Sequence, residues 1–153
     1  TEENKKIFVV TYSVEKLREQ GDLIIASDKR QILNIGFNGE SSDSIFLNTA
    51  TGVPSSDKQG YVMMREGSIT AMSTNLDVLQ SGDEISIIVI KNGETINFGN
   101  IIYADSKGVK IDYDVQSKGV INFVPGDVIS VYLESNGFKY KNVITMVEIT
   151  TTN

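Results

Sequence analysis

The chain has 153 residues, enough for one domain with a real core, and contains neither Cys nor His. Disulfides, thiolate metal sites, cysteine nucleophiles, the Ser-His pair and the commonest zinc ligand are therefore excluded, and the fold stands on packing alone. A formal net charge of −6, from 20 acidic against 14 basic residues, opposes attraction to nucleic acid or anionic lipid.

Residues 7–12, Ile-Phe-Val-Val-Thr-Tyr, predict a strand after a charged end that lacks the apolar core of a signal peptide. Ser13 caps a short helix over 14–20, with Glu15 near its positive end and Gly21 at its left-handed terminus. Strands at 22–26 and 31–37 follow, joined by Ser27-Asp28-Lys29-Arg30, and Asn38-Gly39 marks another turn. Residues 40–60 read as loop around Ile45-Phe46-Leu47, and 51–58 lacks any periodicity, which makes it functional or mobile. The one internal boundary falls here, between an N-terminal segment of 1–40 and a β-rich 41–153. No linker composition separates them, so they read as one compact unit.

From Tyr61 strands are predicted at 61–65, 68–76, 84–91, 95–103, 109–115, 120–123, 128–134 and 143–151. Turn signals join them, the strongest being Asn92-Gly93 and Pro125-Gly126. So many short strands at even spacing predict an all-β sandwich or barrel. Ile87-Ile88-Val89-Ile90 is apolar on both faces, and Val143-Ile144 with Met146-Val147 nearly so. Such a strand is either covered on its outer side or part of a subunit interface. No apolar run reaches membrane-spanning length.

Asp112 and Asp114, two residues apart on a strand, share one face, and Asp105 nearby would complete an oxygen cage for calcium. The spacing matches no calcium loop, and alternating Asp reads first as a hydrated strand face. Glu66, Asp77, Asp83 and Glu84 fall at the ends of neighbouring strands, where turn formation accounts for them. Six tyrosines, Tyr12, Tyr61, Tyr103, Tyr113, Tyr132 and Tyr140, would suit a carbohydrate or protein contact, although Tyr is also an ordinary strand residue. Neither a phosphate-binding glycine loop nor a basic nucleic-acid footprint is present, so no cofactor is expected.

Three stretches carry a family resemblance. Gly60-Tyr61-Val62-Met63-Met64-Arg65-Glu66-Gly67-Ser68-Ile69-Thr70-Ala71-Met72-Ser73 resembles the opening of many small phage virion proteins. Ile88-Val89-Ile90-Lys91-Asn92-Gly93-Glu94 is similar to their central strand and hairpin. Phe123-Val124-Pro125-Gly126-Asp127-Val128-Ile129-Ser130-Val131 resembles the end of that fold. The chain from Gly60 onward thus resembles a phage or spore-surface variant of the jelly roll of tumour-necrosis-factor and complement type, and the resemblance covers roughly the last ninety residues. It implies an antiparallel jelly-roll sandwich, with the short helix confined to the N-terminal segment. It further implies a non-enzymatic homotrimer that decorates a capsid or forms a fibre head, located in the virion.

Its partners would be capsid or tail proteins and a host-surface glycan, with 1–40 as attachment segment. Ile87, Ile88, Val89, Ile90 and Tyr132 would lie near the threefold axis, and Ile144 and Met146 are further interface candidates. The rival is a carbohydrate-binding or spore-surface sandwich module at a bacterial cell or spore surface. A glycosidase ranks behind both, because no carboxylate pair is distinctive.

Overall fold

The structure, a computed structural model, describes residues 27–152. The strands expected at 7–12 and 22–26 and the helix at 14–20 lie outside the described residues. Within them the chain is all strand and turn: β1 (Asp28–Ser41), β2 (Ile45–Phe46), β3 (Asn48–Thr49), β4 (Tyr61–Val62), β5 (Gly67–Val78), β6 (Glu84–Lys91), β7 (Glu94–Tyr103), β8 (Gly108–Val115), β9 (Asn122–Phe123), β10 (Val128–Glu134) and β11 (Tyr140–Thr152). Lys29–Thr151 forms one unit, so β1, placed by the sequence reading in the N-terminal segment, belongs almost entirely with the strands that follow.

Two antiparallel sheets face each other. Sheet A runs β3-β1-β11-β5-β8, with β9 also on β5, and sheet B runs β2-β10-β6-β7, with β4 also on β10. Among the eight principal strands (β1, β2, β5, β6, β7, β8, β10 and β11), the first lies beside the last, the second beside the seventh, the third beside the sixth and the fourth beside the fifth. That nested pairing is the jelly roll. Alternation within the strands supplies the filling: Ile69, Met72 and Leu76 of β5 meet Ile85, Ile87 and Val89 of β6 and Ile129, Val131 and Leu133 of β10, all at most 1 % exposed.

A polar seam crosses this core. Asn100 of β7 is buried, and its Nδ2 donates to the Met72 carbonyl of the opposite sheet at 3.2 Å. Its Oδ1 accepts from Thr74 Oγ1 at 2.9 Å, and Thr74 Oγ1 lies 3.0 Å from Thr145 Oγ1. No buried side-chain nitrogen or oxygen among the described residues lacks a partner, as a low-dielectric interior requires. At one corner, fully buried Tyr140 donates its hydroxyl to the Asp43 carbonyl at 2.7 Å, which pins the crossing from β1 to β2.

Turn chemistry sits largely where local backbone rules put it. Asn92 and Gly93 both have positive φ, 53° and 83°, as a two-residue hairpin turn demands. The Pro125-Gly126 turn closes through Asp127 N to the Val124 carbonyl at 3.1 Å. Asn38-Gly39 is a correction: β1 continues through it to Ser41. There the positive φ of Gly39 serves a strand irregularity, with Gly39 N donating to Asn142 Oδ1 beside the β11 bulge.

Two of these turns are clamped together. Asp127 Oδ1 accepts from Asn92 Nδ2 at 2.9 Å, its Oδ2 accepts from Val124 N at 2.9 Å, and Asn92 Oδ1 accepts from Val128 N at 2.9 Å. The Asn92 amide, followed by the Val124 N–H, holds the Asp127 carboxyl below its ordinary 3.8. A depressed folded value means that the stabilisation is present above the unfolded value and is lost as pH falls through the folded one. Asp127→Ala is expected to cost about 1–2 kcal/mol at neutral pH. In urea melts, the gap from wild type should close below pH 3.8; a gap independent of pH would refute the clamp.

Candidate functional site

β8 breaks the inside-outside rule of a sandwich. Its register with β5 places Ala71 opposite Val115, Ser73 opposite Tyr113, Asn75 opposite Ile111 and Asp77 opposite Val109. Cross-strand partners share a face, and the β5 residues between these, Met72, Thr74 and Leu76, point into the core. The apolar row of β8 therefore faces outward: Val109, Ile111, Tyr113 and Val115 are 68, 72, 71 and 76 % exposed. Lys110, Asp112 and Asp114 take the inward side.

There Asp112 Oδ2 accepts from the Ile101 N–H of β7 at 2.8 Å. Since β7 and β8 end their respective sheets, this carboxylate caps a backbone donor at an open edge, and inward-pointing charge discourages strand addition. The expectation of a hydrated outer face is thus corrected for Asp112, which is half-buried against β7, while Asp114 on the same side of the strand stays exposed: the pull of an unpaired N–H decides which half of the alternation turns in.

The outward row of β8 extends into a surface. On the other side of β5, Met146 and Ile144 of β11 lie opposite Ser73 and Asn75, and Ile32 of β1 is exposed beyond them. Between the two apolar flanks runs the low row Ala71, Ser73 and Asn75, so the outer face of sheet A has a ridge over β8 and a furrow over β5. At ordinary side-chain areas of about 150–200 Å² the exposed fractions of the flanks amount to on the order of 700 Å². A patch of that size is uncommon on a monomer and approaches what one partner buries in a standard interface.

The interface candidates read from sequence divide three ways. Ile87 and Val89 are fully buried between the sheets. Ile88 and Tyr132 are half-buried on the outer face of sheet B, where they lie opposite each other. Ile90, also on that side, is buried, because the chain at Gly60 crosses so close to Ile129 and Ser130 that a Cβ there would strike the Ile129 carbonyl. Ile144 and Met146 belong to the sheet A face, 60 and 44 % exposed. One strand apolar on both sides is thus partly covered, while the other carries part of an open surface.

The carboxylate groupings do not converge. Glu66 precedes β5 and Asp77 stands near its far end, a separation of about 35 Å at strand rise. Asp105 is exposed and pairs with Lys110 at 3.8 Å, an ammonium that opposes a cation at the expected cage. Among the described residues no three carboxylates are grouped to hold a metal. Of the tyrosines, Tyr61 donates to the Asn34 carbonyl and accepts from Ala50 N, Tyr140 is core, and Tyr103 and Tyr113 are exposed on opposite sheets. Tyr12 lies outside the described residues.

Sequence reasoning alone does not single out Val109, Ile111, Tyr113 and Val115. Their alternation is visible, but it reads as a core face. No protein-family model matches the chain, and no curated protein is significantly similar to it.

Proposed function

We propose that this protein is a non-enzymatic structural jelly roll that works as a homotrimer, with the outer face of sheet A as the contact between copies. The observation that carries the reading is the open apolar row of β8, continued by Ile144, Met146 and Ile32. Three features support self-association in this form. The centre of the face, Ser73 and Asn75 with Ile111, Tyr113, Ile144 and Met146, carries no charge, as the centre of a stable interface requires, while Asp77 and the Glu148–Arg30 pair lie towards its ends. The capped edge leaves the face, and not the strand edge, as the means of contact. The ridge and the furrow occupy different parts of one face, so seating the ridge of one copy in the furrow of the next joins unlike patches. Such heterologous contacts form a ring when the rotation from copy to copy closes, and a third of a turn gives the trimer.

The similarity of 60–73, 88–94 and 123–131 to phage virion jelly rolls makes the particular role a capsid decoration or fibre head, with capsid or tail proteins as further partners. Light scattering on a size-exclusion column, over a range of concentrations, tests the assembly. The expected mass is three times the 16.8 kDa of the chain at every concentration. A stable monomer overturns the reading.

A further inference from the structure

Sheet B presents a different kind of surface. β7 carries two more residues than β6 between the pairs Ile88–Gly99 and Ile90–Thr95, so 96–98 arch out of the ladder. Gly99 permits this: a Cβ there would strike the Ile87 carbonyl, so the returning chain can press against β6 only without one. The arch, the outer side of β6 and the end of β8 together border an open groove of about 690 Å³.

Its lining combines the hydroxyls of Ser86 and Thr95, the amides of Asn97 and Gln116 and the carboxylate of Asp114 with the apolar side chains of Ile88, Phe98 and Ile101, and it includes no lysine or arginine. Among the described residues the Ser86 and Asn97 side chains have no hydrogen-bond partner. Tyr132 stands beside Ile88, its ring centroid 5.0 Å from that of Phe46, and Tyr103, 67 % exposed, follows two residues after Ile101.

We propose that this face binds a neutral saccharide. Hydroxyl, amide and carboxylate groups match vicinal hydroxyls, which donate and accept at once. Aromatic and aliphatic side chains match the C–H face of a pyranose ring. The Asp114 carboxylate in the lining, with no cation to offset it, rejects phosphate, uronate and nucleic acid. Tyr132 and Tyr103 are about 15 Å apart by strand geometry, which suits an oligosaccharide better than a single sugar. The site lies mainly on sheet B and meets the proposed subunit contact only at the end of β8, where Val115 lines it.

Affinity electrophoresis of the full chain through gels containing dextran, mannan or a β-1,3-glucan, with alginate as the anionic control, tests this. Retardation by at least one neutral polymer and none by alginate is expected. Tyr132→Ala and Asn97→Ala should each weaken that retardation at least tenfold, and Met64→Ala, at a residue 86 % exposed and outside both surfaces, should leave it unchanged. If Tyr132→Ala lowers the melting temperature, Asn97→Ala on the exposed arch decides alone. Migration unaffected by all three neutral polymers, retardation by alginate only, or full binding by Asn97→Ala overturns the proposal.

Discussion

Ile111→Lys combined with Tyr113→Lys is expected to convert the trimer to a monomer, reducing the mass by light scattering to one third, while the sandwich stays folded. Both side chains are more than two-thirds exposed in the single chain, so neither substitution opens a cavity, and each should change the stability of the subunit by no more than about 0.5 kcal/mol. In the assembly the same positions form the ridge that seats in the neighbouring furrow, where two unpaired ammonium groups would lose their water. The loss of a central apolar anchor alone costs about 2 kcal/mol or more per contact, and buried unpaired charge adds to it. The affinity of each contact should therefore fall by well over a hundredfold. Val62→Lys, at a residue 58 % exposed on a strand of sheet B, is the control and should remain trimeric. A double variant that keeps the wild-type mass would show that the outer face of sheet A is not the contact.

Asn100→Leu is expected to destabilise the unit by about 2–4 kcal/mol, measured by urea unfolding, although it replaces a buried polar side chain with an apolar one of similar size. The reason is the connectivity of the seam. Asn100 joins β7 of sheet B to Met72 and Thr74 of sheet A, so removing its amide leaves a buried carbonyl without its donor and a hydroxyl dependent on Thr145 alone. Asn100→Asp separates this account from a simple packing effect. A carboxylate there can still accept from Thr74 but opposes the Met72 carbonyl, and its charge is buried.

Burial raises its folded pKa above the unfolded value, so the penalty is largest at neutral pH and shrinks as pH falls through the raised value. Asn100→Leu should show no such recovery in acid. Equal, pH-independent losses for both variants would mean that the seam contributes through shape alone.

Much of the architecture was legible before any tertiary contact was known. The strands at 84–91 and 128–134 coincide with β6 and β10, because alternation of apolar and polar residues is a property of the segment itself. Asn92-Gly93 and Pro125-Gly126 were equally readable, since a turn depends on the φ that its own residues tolerate. The Asn38-Gly39 turn failed for a related reason. The same tolerance serves either a reversal or an irregularity inside a strand, and the partner at Asn142, 103 positions away, selects between them.

The candidate surfaces were legible only in part. Ile144 and Met146 stand out as the outer half of a two-sided strand, and that is where they are found. The groove on sheet B has no sequence signal, because it arises where a bulge in β7, the outer side of β6 and the end of β8 meet.

The sequence by itself determined the all-β class, the main strands and most of their turns, which depend on neighbours one to four residues apart. Only the tertiary structure decided which face of each strand is inside. In 109–115 the apolar half of the alternation looks like core. It faces outward because Asp112 reaches an unpaired N–H on β7 and β8 has no strand beyond it. Period two defines two faces without ranking them, and the ranking comes from what packs on either side.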